Sequence, residues 1–356
     1  MPPQSIKPSD NWPMYTDSNF STRHLDPAAK KIRTQTRFLT AANLTKMYLG
    51  IAFITVPKSV EQAGLYGSIV GFAYIISINL FCLYILVKAR NRFKREPIVD
   101  ICDLGARLFG EGIRPLISLL LCFTNGLFLC AYVLFYGSQI DQLVCKTFKA
   151  RECGYSRVYS AYVILSLLPF LFLRRMANIG YFSVFALILT FVSIGIVIYM
   201  SIVILGKTPQ EVQEEYHIKL TDDDRDYNYW NSSMIPVFCV AMMTLFEANQ
   251  MILNIYSEAD RPQDFFVICV ICIATLTVGV AMVTGYLGYL AFGSTTKSVI
   301  LYNLPNEDPL SVTAKICYVI AIMGSFVLII QPIFYVIESS SWYNSVRGKK
   351  EEAEPK

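Results

Sequence analysis

Histidine and charge are both scarce in this sequence. Only 2 histidines occur in 356 residues, and 16% of the residues are charged, against about 25% in an average soluble domain. Because His24 and His217 lie outside the apolar segments, the sequence provides no histidine triad, intramembrane metal site or histidine proton relay. No phosphate-binding loop of the Walker type occurs either. These absences argue against an enzyme, a metal or another cofactor. Nucleic acid as a partner has no support beyond the basic loops, which the enrichment of Lys and Arg in cytoplasmic loops explains.

Apolar residues are abundant instead. They make up 54% of the chain, and the mean hydropathy is +0.44. Stretches such as Ser68–Val87 and Val184–Leu205 carry no charge, and a membrane span needs about 20 apolar residues. The sequence therefore predicts an all-α integral membrane protein. Windows of about 20 residues predict eight spans, near residues 40–63, 67–88, 115–144, 157–173, 178–205, 232–257, 265–292 and 310–338.

The distribution of Lys and Arg predicts how these spans are oriented. The side that includes the amino terminus carries 20 of the 31 basic residues, and the opposite side carries 8. Cytoplasmic loops are enriched in Lys and Arg, so we expect both termini in the cytoplasm. Residues 1–37 are then a polar tail without the apolar core of a signal peptide. Residues 38–338 form the membrane domain, and 339–356 form a charged tail.

The loops add two expectations. Residues 206–231 are strongly acidic and form a hydrophilic outer loop. Cys145 and Cys153 share one polar loop, so they could form a disulfide if that loop faces an oxidising compartment. Two unpaired thiols are the alternative.

Two spans carry features that a plain membrane helix lacks. In the first span, Gly50 and Pro57 bracket a segment where the helix must kink or open, because proline lacks a backbone donor. The sixth span carries Glu247, Asn249 and Gln250, which lipid would penalise. Irregular backbone and polar groups at this depth need protein partners or a wet cavity. The alternatives are an ordinary proline kink and a structural carboxylate.

Polar residues in two other spans have simpler interpretations. In the third span they cluster toward the outer end, where interfacial anchoring is expected; they are Tyr132, Tyr136, Ser138, Gln139 and Asp141. Lys315 lies near one end of the eighth span, where a lysine is expected to extend its ammonium group toward water.

Two broken spans separated by four intact ones are typical of inverted-repeat transporters. Four segments then resemble the amino acid/auxin permease family over roughly residues 38–338, most closely its proton-coupled amino acid transporter branch. They read LTKMYLGIAFITVPKSVEQAGLYGSIVG, LLPFLFLRRMANIGYFS, FEANQMILNIYSEADRPQDFF and GYLGYLAFGSTTKSVILYNLP. The resemblance implies the leucine-transporter-type fold of the amino acid–polyamine–organocation superfamily, with repeats over 38–205 and 232–338.

The resemblance also implies a binding site where the first and sixth helices are unwound. Backbone amides there face a carboxylate, and freed carbonyls face an ammonium. Glu247 is the candidate amine contact or proton-coupling group, and Tyr132 of the third helix faces the site. The implied break residues are Gly50, Ile51 and Ala52 in the first helix and Phe246, Glu247, Ala248, Asn249 and Gln250 in the sixth.

Some residues depart from the family pattern. Ala52 stands where a second glycine is usual, and Tyr48 stands where asparagine is common. The family generally has eleven spans and the core fold needs ten, so eight spans leave the second repeat incomplete. We therefore expect either a partner subunit that completes the fold or an incomplete product of the gene.

The function implied is secondary active transport of amino acids or similar zwitterions by alternating access. The coupling ion is a proton, with sodium as the other candidate, and the membrane is the plasma membrane or the vacuolar or lysosomal membrane. The alternative is a degenerate permease that acts as a membrane scaffold or as a subunit of a larger assembly.

Overall fold

A computed structural model describes residues 36–93, 98, 100–147, 154–167, 176–259 and 264–339. The regular elements of these residues are helices, which confirms the predicted all-α class. The α-helices are α1 Arg37–Tyr48, α2 Val56–Ala63, α3 Leu65–Arg92, α4 Ile101–Phe109, α5 Arg114–Gln142, α6 Ser156–Leu167, α7 Met176–Leu205, α8 Pro209–Tyr216, α9 Ile235–Met243, α10 Ile252–Glu258, α11 Phe265–Ala274, α12 Val283–Phe292 and α13 Pro309–Ser339.

Six helical stretches of the described chain are long and apolar enough to cross a membrane. They are Leu65–Arg92, Glu111–Cys145, Val184–Leu205, Ile235–Ser257, Phe265–Thr295 and Pro309–Phe334. The bent pair Arg37–Tyr48 and Ile51–Ala63 makes a seventh if it is one span. These stretches coincide with seven of the eight predicted spans. The fourth predicted span, 157–173, is described only as α6, and its remainder lies outside the described residues.

The helices pack around α7 and α13. Helix α13 packs against α7 and α5, while α12 packs against α7 and α2. Helix α1 also lies on α7. Large apolar side chains on the outer face of α5, such as Leu119, Phe123 and Leu134, are exposed. Such side chains suit contact with lipid tails, which are as apolar as leucine.

Residues 206–231 are tied to the end of α2 by backbone hydrogen bonds. Leu65 N donates to Asn228 O at 3.0 Å, and Asn231 N donates to Ala63 O at 3.0 Å. The turn between α2 and α3 is made by Gly64, whose φ is +83°, and a Cβ there would lie 2.7 Å from Trp230 N. Only glycine fits this approach. The side of the protein on which residues 206–231 lie is called the loop side below.

Candidate functional site between two interrupted spans

The first span is interrupted at Leu49 and Gly50. Helix α1 ends at Tyr48, and a short 3-10 segment, Ile51–Thr55, leads into α2. The two halves meet at 44°. The backbone at Gly50 is extended, with φ −87° and ψ −162°. Pro57 lies in the first turn of α2, where a missing N–H costs no helical hydrogen bond.

Three side chains bind the carbonyls at this interruption. Lys46 Nζ donates to Leu49 O at 3.4 Å, and Tyr318 Oη donates to Gly50 O at 2.8 Å. Thr55 Oγ1 donates to Ala52 O at 2.8 Å. Carbonyls buried at membrane depth need such partners. Three carbonyl oxygens at the first interruption therefore each have a hydrogen-bond partner within the protein.

Lys46 also connects the interruption to α7. Its side chain is fully buried, and Nζ donates to Thr190 Oγ1 at 3.0 Å. A buried ammonium group is costly unless it is hydrogen-bonded. This lysine therefore holds the carboxyl end of α1 against α7.

The donors at the first interruption have a different environment. The segment Ile51–Ala63 begins without a side-chain cap, and the first N–H groups of a helix have no partner within it. Ala52 and Phe53 in this first turn are buried. The amino end of a helix also carries partial positive charge. This end can therefore accept a carboxylate.

The sixth span is interrupted more gradually. A 3-10 segment, Thr244–Met251, separates α9 from α10. Within it Phe246 leaves helical geometry, with φ −108° and ψ 23°. Phe246 is buried, and its ring lies edge-on to Tyr48 with centroids 6.1 Å apart. The two interruptions therefore meet at Tyr48 and Phe246.

Polar side chains of the sixth span bind two neighbouring helices. Tyr48 Oη donates to Asn249 Oδ1 at 3.0 Å, and Asn125 Nδ2 of α5 donates to Gln250 Oε1 at 2.6 Å. Glu247 and Ala248 belong to the 3-10 segment, but their side chains lie outside the described part of the structure. The sixth interruption is thus joined to α1 and to α5.

The sequence model described as "Transmembrane amino acid transporter protein" matches residues 33–355. This chain belongs to the transmembrane amino acid transporter family. The match confirms the resemblance to the amino acid/auxin permease family. It also makes the chain a multi-pass membrane protein.

Relatives of this family member carry related names. Vacuolar amino acid transporter 4 of Saccharomyces cerevisiae is 25% identical over 298 residues, which cover 83% of this chain and 40% of the relative. The Proton-coupled amino acid transporter-like protein pathetic of Drosophila melanogaster is 23% identical over 309 residues, which cover 81% of this chain and 60% of the relative. Amino acid transporter AVT1B of Arabidopsis thaliana is 22% identical over 303 residues, which cover 83% of this chain and 52% of the relative. The chain spans about half the length of the curated relatives it matches.

Sequence reasoning missed several residues around the site between the two interrupted spans. Tyr132, which was predicted, is buried in the same apolar cluster as Ile54 and Tyr318. Lys46 and Asn125 are polar residues inside apolar spans, and this placement in the sequence already indicated that each needs a polar partner. Nothing in the sequence pairs them with their partners or marks Tyr318.

Two simple interpretations of polar residues are wrong. Tyr136 and Gln139 are buried, not interfacial, because α5 turns them toward α13 and the segment that precedes it. Lys315 does not extend toward water: it is 1% exposed, and Nζ donates to Asn306 Oδ1 at 3.0 Å. Cys145 is disulfide-bonded, and Cys153 lies outside the described residues.

The transporter-family chain also has a cavity of about 600 Å³ on the loop side, away from the two interruptions. It is lined by residues from two segments, 216–219 and 295–307. Lys219, Lys297 and Glu307 give it both charge signs. The cavity is large enough to admit a free amino acid.

Proposed function

We propose that this chain carries amino acids across a membrane by alternating access, with the substrate held between the first and sixth spans. The observation that carries the proposal is the hydrogen bond from Tyr48 to Asn249, which joins the two interruptions. Family membership supports amino acids as the substrate class. The fold we propose is of the leucine-transporter type, with repeats over 38–205 and 232–338. Helices interrupted at membrane depth are typical of such transporters.

The contacts suggest how a zwitterion is divided between the interruptions. The carboxylate binds the N–H groups that begin the segment after Gly50, where no side chain caps the helix. The ammonium group binds the sixth span, where Glu247 supplies a carboxylate, whereas the carbonyls of Leu49, Gly50 and Ala52 each already accept one hydrogen bond. Glu247 is the proposed ammonium contact or proton-coupling group. Tyr132 and Phe246 contribute apolar surface.

The proposed coupling ion and the proposed membrane are based on the names of the relatives. We propose a proton as the coupling ion, with sodium as the alternative to be tested. We propose that both termini are cytoplasmic, because Lys and Arg are more numerous on that side. The relatives named as vacuolar favour a vacuolar or lysosomal membrane over the plasma membrane. A partner subunit stays a prediction.

Uptake into proteoliposomes tests this function. The purified chain is reconstituted, and uptake of labelled amino acids is measured with and without a pH gradient. We expect saturable uptake that the gradient increases, and Glu247→Gln should remove the effect of the gradient. The matched control is Glu214→Gln, which changes an exposed glutamate of the outer loop. Absence of saturable uptake would contradict the proposal.

A further inference from the structure

One buried face of α5 carries a line of polar side chains. Asn125, Tyr132, Tyr136 and Gln139 are seven, four and three residues apart, a spacing that places them on one helical face. Each is at most 3% exposed. At 1.5 Å per residue the line is about 21 Å long. It begins at Asn125, which binds Gln250 of the sixth interruption.

The far end of this line reaches the cavity on the loop side. Ser138 Oγ and Tyr302 Oη share a hydrogen bond of 2.8 Å, and Tyr302 lines the cavity. The segment that carries Tyr302 is fixed by Asn303, whose Nδ2 donates to Thr295 O at 3.0 Å. The contact between Ser138 and Tyr302 therefore joins the end of α5 that carries Gln139 to the lining of the cavity.

Two side chains close to Ser138 along α5 are buried without a hydrogen bond in the described structure. They are the hydroxyl of Tyr136 and both amide atoms of Gln139. The Gln139 amide lies beside the Tyr302 hydroxyl but lacks the geometry of a hydrogen bond. Most buried polar atoms in proteins have a partner, and leaving one without a partner is unfavourable. A polar molecule that reached these groups would supply the missing partners.

We propose that Tyr302 and Ser138 form a gate, and that Tyr136 and Gln139 form a transit site for a free amino acid when the gate opens. The Gln139 amide can donate to a carboxylate and accept from an ammonium group, and the Tyr136 hydroxyl can donate to the carboxylate. Both ends of a zwitterion are thus recognised. The substrate class rests on the proposed function.

The gate is tested by thiol labelling, which requires no transport. Gln139→Cys is treated from the loop side with a membrane-impermeant thiol reagent, and the parent chain gives the background. Adding Tyr302→Phe removes one hydrogen bond from the closed gate, so labelling should accelerate about fivefold. The matched control is Tyr286→Phe, which removes the contacts of another buried tyrosine hydroxyl, at 2.7 Å to Ser68 and at 3.1 Å to Leu65 O, away from the cavity lining. Equal labelling with and without Tyr302→Phe would overturn the gate.

The transit site is tested by uptake together with thermal stability. Gln139→Leu and Tyr136→Phe remove polar groups that have no hydrogen bond in the closed state, so the unfolding midpoint should stay the same or rise. Uptake from the loop side should fall about fivefold for each variant. Unchanged uptake in both would overturn the transit site while the proposed function stood. Absence of uptake in the parent chain would count against the proposed function. The thiol-labelling experiment would still test the gate, because it requires no transport.

Discussion

The two interruptions differ in how the backbone leaves the helix. In the first span two residues, Leu49 and Gly50, produce a bend of 44°, and side chains bind the freed carbonyls. In the sixth span the helix tightens over Thr244–Met251, and only Phe246 leaves helical geometry. A 3-10 segment has weaker hydrogen-bond geometry than an α-helix and often marks a hinge. The first interruption is therefore the fixed side of the pair, because side chains hold its backbone, whereas the sixth has the weaker backbone geometry.

The largest effect is expected from Lys46→Met. This change removes the buried ammonium group that holds Leu49 O and Thr190, and each hydrogen bond to a charged group contributes about 2 kcal/mol. Without it the fixed side should loosen. We expect uptake to be lost and the midpoint of thermal unfolding in detergent to fall by several degrees.

A second buried lysine provides the matched control for Lys46→Met. Lys315 is equally buried, but it binds Leu304 O and Asn306 on the loop side. Lys315→Met should lower stability to a similar degree but leaves the contacts of Leu49 and Gly50 intact, so uptake should remain measurable although the partners of Lys315 line the cavity. If Lys46→Met kept normal uptake, the first interruption would not depend on this lysine.

The next effect concerns the donors of the first interruption. Ile51→Pro removes one N–H at the first helical position, where proline is well tolerated. If a carboxylate binds there, the loss of a charge-assisted hydrogen bond should raise the KM for uptake about tenfold. Ile51→Val keeps the N–H and serves as the control. Equal KM values for the two variants would place the carboxylate elsewhere.

The spans were predictable because apolar runs of membrane length are a local property of the sequence. The interruptions were suggested by Gly50, Pro57 and the polar residues after Phe246, which are local as well. Ala52 shows where a family pattern misleads. The described backbone has a positive φ at His217, Gly64, Gly110, Gly154 and Gly293 only, so the first interruption does not require a second glycine.

The pairing of side chains was not predictable. Tyr48 and Asn249 are 201 positions apart, and Lys46 and Thr190 are 144 apart. Whether a polar residue in a span faces lipid, water or a partner depends on which helices pack together. Tyr136 and Gln139 illustrate this, since their position near a span end suggested anchoring and the packing buries them.

A smaller effect is expected at the contact between the two interruptions. Tyr48→Phe and Asn249→Ala each break the hydrogen bond that joins them, and a neutral hydrogen bond contributes about 1 kcal/mol. Each change should therefore reduce substrate affinity about fivefold. The double variant should be no worse than either single variant, because the partners share one interaction. Additive losses would show that the residues act independently.

The last effect is on stability alone and concerns a pH dependence near the sixth span. Helix α4 contacts α10 through Leu104 and Leu253, and Asp100 Oδ1 caps α4 by accepting from Asp103 N at 2.6 Å. Burial of Asp100, then the nearby Asp103 carboxylate, raises the pKa of Asp100 from 3.8 to about 6, although backbone N–H groups and Arg114 oppose the change. Arg107 and Glu111 are the other charged groups on this hairpin.

The direction in which stability changes with pH follows from the number of protons bound in the folded and unfolded states. Between pH 4 and 6 the folded state holds a proton on Asp100 that the unfolded state has lost, so stability falls as pH rises through this window. The loss is about 3 kcal/mol at 1.36 kcal/mol per pKa unit. Asp100→Asn keeps a good helix cap. In this variant the midpoint of thermal unfolding should decrease less between pH 4 and 6 than it does in the parent chain. Glu111→Gln, an exposed neighbour that also binds Arg114, should leave it unchanged. If both variants kept the full decrease in unfolding midpoint, Asp100 would not be its source.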